Sequence, residues 1–181
     1  VLLSQCNAHF RRPAQPGQFP WLVSVTRDGR HVCGGGILPS RHVLTAATCV
    51  QAPGDIRVTI REHHLAQAEP GQTDQHVSQI LLHPQFRLSE PLEHNLAILT
   101  LSHELAFSHL ELAPICWGPL SPLGKSRDDG HVYTSWGLTQ FGPGVLPHWT
   151  RLPVVDRVTC QVTDNYHYHY IYYFSHLLRR F

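Results

Sequence analysis

An all-β fold, a barrel or a sandwich, is predicted for this 181-residue chain by two features of its sequence. Short runs rich in Val, Ile, Leu and Thr recur along it, each of strand rather than helix length. Gly and Pro, 13 and 14 of them, punctuate those runs at the places where a chain turns. No internal repeat is evident, and 42% hydrophobic content supports a packed core.

The elements follow in order. Gly17-Gln18-Phe19-Pro20-Trp21 leads into Leu22-Val23-Ser24-Val25-Thr26, a strand pattern. Asp28-Gly29 predicts a hairpin turn into His31-Val32-Cys33. Gly34-Gly35-Gly36 lets the backbone bend or approach a neighbour closely. Further short strands are predicted at Ile37-Leu38, His42 to Thr45, Ile56 to Ile60 and Val77 to Leu82. Leu96 to Leu101 is mostly apolar and predicts a buried strand. Pro114 to Gly124, dense in Gly and Pro, predicts a linker between two halves.

Composition narrows the function classes. Lys+Arg 14 against Asp+Glu 13 gives a formal charge of +1, with no electrostatic footprint for nucleic acid or anionic membrane. No apolar run approaches the roughly 18 residues of a membrane span. Five cysteines form no C-x-x-C pair, which leaves little for a zinc ribbon and suits disulfides in an oxidising compartment. The expected localisation is therefore secreted. The 15 histidines read mostly as solvated surface residues whose charge rises on mild acidification. The chain opens at Val1 with no secretory leader, as a processed chain or a fragment does, and no Asn-x-Ser/Thr sequon occurs.

Motifs in a fixed order carry the reading further. They are Pro16-Gly17-Gln18-Phe19-Pro20-Trp21, Cys33-Gly34-Gly35-Gly36-Ile37-Leu38, Leu44-Thr45-Ala46-Ala47-Thr48-Cys49, His83-Pro84-Gln85-Phe86, Ala113-Pro114-Ile115-Cys116 and Thr134-Ser135-Trp136-Gly137. Together with Leu152-Pro153-Val154-Val155 they resemble the motifs of trypsin-like serine proteases, over most of the chain. The resemblance implies a chymotrypsin-like pair of six-stranded β-barrels, the first complete and the second incomplete. It divides the chain into a pro-segment remnant at 1–13, a first barrel at 14–112 and a linker at 113–124. A partial second barrel at 125–163 and a Tyr/His-rich tail at 164–181 complete it.

The same resemblance argues against the family's chemistry. Thr48 stands where the family keeps its catalytic histidine, and Asn95, in His94-Asn95-Leu96-Ala97-Ile98-Leu99, stands in the aspartate slot. Those enzymes need a serine nucleophile, a histidine that takes its proton and an aspartate that orients the histidine. No Gly-Asp-Ser-Gly-Gly-Pro segment occurs among the 181 residues. Where the family has the new Ile-Val-Gly-Gly terminus, this chain reads Ala8-His9-Phe10-Arg11, and Arg11-Arg12 reads as solvated charge. His42 and His94, nearest in sequence, are the candidates for a replacement base, and both read as surface histidines. Catalytic residues are expected to be none.

By resemblance, Cys33 pairs with Cys49 and Cys6 with Cys116, leaving Cys160 a free thiol. His167 and His169 in the tail are spaced i, i+2 and share a face only on a strand, too little for a metal site. No cofactor and no metal are expected. The expected function is that of an inactive protease homologue acting by protein binding, with a protein partner or self-association through the open second barrel. The competing class is a serine-type endopeptidase, and a third is a non-functional product.

Overall fold

Asp28 and Gly29 both adopt left-handed backbone, at φ 51° and 75°. That is the demand of a two-residue turn whose twist matches the strands it joins, and Asp-Gly meets it at low cost. The turn links β2 (Leu22–Arg27) to β3 (Arg30–Leu38), which pair antiparallel with Arg27 opposite Arg30. From this hairpin the computed structural model builds out. It describes residues 12–91, 93–107, 112–115, 131–139 and 142–152.

The remaining elements are β1 (Arg12–Pro13), β4 (His42–Thr45), the one-turn helix α1 (Ala47–Val50), β5 (Ile56–Ile60), β6 (Thr73–Leu82) and β7 (Ala97–Leu101). After them come β8 (His131–Ser135), β9 (Leu138–Thr139), β10 (Gly142–Pro143) and β11 (His148–Leu152). Six strands close a barrel in the order β2-β3-β4-β7-β6-β5. A second, three-stranded sheet runs β1-β11-β8, and β9 and β10 form a small hairpin. The chain is thus all-β, with a complete first barrel and a partial second sheet, as in a chymotrypsin-like fold.

β6 shows how the barrel closes. Its first part, Thr73 to His76, pairs with β5, and Val77 to Leu82 pairs with β7. The register shifts between Val77 and Gln79, where Ser78 bonds through Oγ to the Thr100 carbonyl at 3.0 Å. A bulge at such a point bends the strand and increases its twist, handing it from one neighbour to the other.

Two strand bounds differ from expectation. Gly34 to Gly36 does not separate two short strands, because β3 runs unbroken through it to Leu38. The reason is space: a Cβ on Gly35 would lie 2.9 Å from Val43 Cγ1 and 3.1 Å from the Leu44 carbonyl oxygen. Glycine here lets β4 pack closely rather than breaking the strand. β6 begins four residues earlier than Val77, through the polar stretch Thr73-Asp74-Gln75-His76.

Val23, Val25, Ile37, Val43, Val58, Leu99 and Leu101 are wholly buried in one cluster inside the barrel. Side chains of this size each contribute about 1.5–3 kcal/mol when fully buried. Leu96, Leu38 and Leu44 form a second cluster. Among the described residues no helix is long and apolar enough to cross a membrane. Arg12 and Pro13, read from sequence as the end of the 1–13 segment, lie in the second sheet opposite Trp149 and His148. Ala113 and Ile115 bond to the barrel through the Pro20 and Ile37 carbonyls. The tail at 164–181, with His167 and His169, lies outside the described residues.

Candidate functional site

The end of β4 and the turn before β7 bring the two key positions together. β4 and β7 are paired neighbours, with Thr45 opposite Ala97. Thr45 is wholly buried, and its hydroxyl donates to the Gly34 carbonyl at 2.9 Å, fixing the point where the chain leaves the sheet for α1. Thr48 and Cys49 sit on that helical turn. On the other side His94 takes a left-handed backbone at φ 51°, an uncommon state for a residue with a Cβ. The Leu96 amide bonds back to the His94 carbonyl at 2.8 Å. This tight turn sets Asn95 against α1.

Thr48 and Asn95 are bonded reciprocally. The Thr48 backbone N–H donates to Asn95 Oδ1 at 2.9 Å, and Asn95 Nδ2 donates to Thr48 Oγ1 at 3.1 Å. Both side chains are half-buried. Each carries the polar capacity the other needs, which is how such groups are stabilised away from water. Neither carries a charge or a proton that titrates near neutral pH.

Cys33 of β3 and Cys49 of α1 form a disulfide that ties this turn to the barrel wall. Arg27 adds a second tie, donating from Nη2 to the Cys49 carbonyl at 2.6 Å. Cys6, Cys116 and Cys160 lie outside the described residues, so their pairing is not part of this geometry. His42 is turned to the Pro39 carbonyl, 3.4 Å from Nδ1. The His94 ring is stacked on His83, with centroids 4.8 Å apart and planes 9° from parallel. Among the described residues no group of three or more His, Cys, Asp or Glu side chains could hold a metal ion.

Three polar features went unnoticed in the sequence. Ser24 is wholly buried, and its Oγ lies 2.7 Å from His31 Nδ1. Burial lowers the His31 pKa. Glu69 closes a loop by accepting the backbone N–H groups of His63 and His64 at 2.6 and 2.9 Å. In the same loop Glu62 accepts from Gln72 Nε2 at 2.8 Å, while its Oε1 is buried with no partner. Burial first, then the charges of Glu69 and Asp74, push the Glu62 pKa up. Nothing in Leu22-Val23-Ser24-Val25 marks this serine: Val23 and Val25 face the barrel's core cluster, and Ser24 lies on the strand's opposite face, beside His31.

A cleft of about 360 Å³ opens beside Glu62 and is lined also by Phe19, Pro20, Leu22 and Pro147. Neither Thr48 nor Asn95 lines it.

The family model described as Trypsin matches residues 9–172. This chain belongs to the trypsin family. The trypsin-family domain is 32% identical over 155 residues to ovochymase-2 of Mus musculus, covering 81% of this chain and 25% of that protein. It is 31% identical over 151 residues to coagulation factor IX of Cavia porcellus, covering 81% of this chain and 53% of that protein. The chain therefore spans a quarter of one relative's length and about half of the other's.

Proposed function

We propose that this trypsin-family domain does not hydrolyse peptide bonds and acts by binding other proteins. The observation that carries the reading is the Thr48–Asn95 pair. Aligned with the family's motifs, these residues stand at the histidine and aspartate positions, and they are hydrogen-bonded to each other at 2.9 and 3.1 Å. A threonine hydroxyl is no general base near neutral pH. An asparagine amide has no charge with which to stabilise an imidazolium, and in this family replacing the aspartate alone by asparagine lowers kcat by about 10⁴. His42 and His94 are turned to other partners, so neither substitutes for the missing base.

The Cys33–Cys49 disulfide supports a secreted protein, since such bonds persist in oxidising compartments. Val132, Tyr133 and Val145 are nearly half exposed on the second sheet and its approach, and they are the surface through which a protein partner or a second copy would bind. No cofactor or metal enters this reading.

The test uses the natural full-length protein, a fluorophosphonate probe and a panel of peptide esters and amides. The expected result is no probe labelling and no hydrolysis above background. Hydrolysis that disappears on denaturation would sink the proposal and restore a serine-type endopeptidase.

A further inference from the structure

The second sheet meets the barrel around one aromatic side chain. Trp136, just after β8, is 2% exposed. Its Nε1–H donates to the His63 carbonyl at 3.0 Å, and its ring meets His31 of β3 edge-on at a centroid distance of 5.3 Å. His31 is in turn held 2.7 Å from the Ser24 hydroxyl of β2. A bulge lies beside it: Cys33 pairs with Val25 and His31 with Thr26, so Val32 is the extra residue in β3. Bulges of this kind re-aim side chains. A chain of contacts thus runs from the barrel wall, through a half-buried imidazole, to the residue that anchors the second sheet.

Among the described residues, the groups bonded to or stacked on that ring are neutral. β2 contributes a serine hydroxyl, and the segment after β8 contributes an indole. The loop behind the indole contributes the His63 carbonyl, with Arg61, Glu62, the His63 and His64 rings and Glu69 as its titratable groups. No charged side chain contributes to the His31 shift: burial is its cause, and it lowers the pKa. A charge placed on a partly desolvated ring, with no acid bonded to it among the described residues, is costly. The cheapest relief is to let water in where the ring meets Trp136, because Ser24 is locked in the barrel.

We propose that Ser24, His31 and Trp136 form an acid-release clasp. With His31 neutral, the β1-β11-β8 sheet is docked on the barrel; when the half-buried ring takes a proton, the sheet is released while the barrel stays closed. The sign follows from linkage. A histidine whose pKa is lower in the docked state contributes stability that is present above its unperturbed 6.5 and lost as pH falls through the docked-state value. The device does not depend on whether the Thr48–Asn95 pair is catalytic.

The test is hydrogen exchange by NMR on the full protein between pH 7 and 5, corrected for intrinsic exchange. The Trp136 indole resonance is assigned with Trp136→Phe. The expected result is at least a tenfold loss of Trp136 indole protection, with the amides of Val23, Val58 and Leu99 unchanged. The His31→Gln variant, neutral throughout, is expected to show no such loss. Equal Trp136 protection at both pH values, or the same loss in His31→Gln, overturns the proposal. So does barrel protection that falls in step with Trp136, which would be global unfolding. Should His31→Gln fail to fold, the His31 ring titration in the wild-type protein decides. Its midpoint must coincide with the Trp136 transition, and a His31 titration that leaves Trp136 protected refutes the clasp.

Discussion

The barrel and the second sheet are built on different principles. Six strands of the barrel close on themselves, and its interior holds Val23, Val25, Ile37, Val43, Val58, Leu99 and Leu101 with no measurable exposure. Closure removes the open edges that a sheet otherwise presents. Among the described residues β8 pairs with β11 alone, and it carries Val132 and Tyr133 at 49% and 47% exposure. What holds this sheet is its contact with the barrel side: Trp136 on His31 and the His63 carbonyl, and Trp149 against Phe19. Arg12 lies over the Trp149 ring, 5.6 Å from its centroid. One region supports itself, and the other is supported.

The sharpest contrast comes from truncating one side chain in each. Leu99→Ala empties a wholly buried position and is expected to cost about 2–5 kcal/mol. Val132→Ala, at a half-exposed position, is expected to cost no more than about 0.5 kcal/mol. Urea midpoints at constant slope measure both, and equal losses would show that the second sheet has a core of its own. Next in size is the disulfide. Replacing Cys33 and Cys49 together by Ala is expected to cost about 3 kcal/mol, from the entropy of closing a loop of about 16 residues. Exchange protection should fall in the barrel first, and loss confined to β8 and β11 would contradict the division drawn here. Trp136→Phe leaves the His63 carbonyl without its indole donor, for about 1–3 kcal/mol. That loss should appear as weaker protection in β8 and β11, with β2 to β5 unaffected.

Legibility in the sequence follows the same division. β2, β4, β5 and β7 were readable because buried Val, Ile and Leu repeat within five or six residues, and Asp28-Gly29 named its own turn. At Gly34-Gly35-Gly36 the close approach was legible and the strand's continuity was not: Gly35 admits Val43 and the Leu44 carbonyl, while β3 runs on through all three glycines. The first half of β6 was missed because Thr73-Asp74-Gln75-His76 lies largely exposed on the barrel's outside and carries no apolar alternation. At the site, motif order placed Thr48 and Asn95 by resemblance to a family. Their reciprocal bonding is a property of two segments 47 residues apart and is written in neither. Ser24 and His31 could be matched only once the hairpin register was known.

The smallest predicted effect tests the loop that joins the two regions. Residues 61–72 belong to the barrel by chain connection, yet they reach the second sheet through the Leu65 amide on the Val145 carbonyl and the His63 carbonyl on Trp136. Glu62 sits in this loop with one oxygen buried and unpartnered, and burial and its acidic neighbours raise its pKa. A carboxyl raised in the folded state holds its proton more tightly there than in the unfolded chain. Its contribution is therefore fully present below its unperturbed 4.5 and is lost as pH rises through the folded value, so at pH 7 the ionised group is a penalty. Glu62→Gln removes that charge and keeps an oxygen for Gln72 Nε2. The substitution is expected to stabilise at pH 7, by about 0.5 kcal/mol once solvent screening of a half-buried group is allowed for. The gain should shrink below pH 4.5, where the wild-type carboxyl is already neutral. Thermal unfolding of both proteins at pH 7 and pH 4 reads it directly. A gain independent of pH would mean that the amide packs better than the acid for reasons other than charge. A loss at pH 7 would mean that the carboxylate's bond to Gln72 outweighs its desolvation, and that the loop is held by its own polar contacts rather than by the regions it joins.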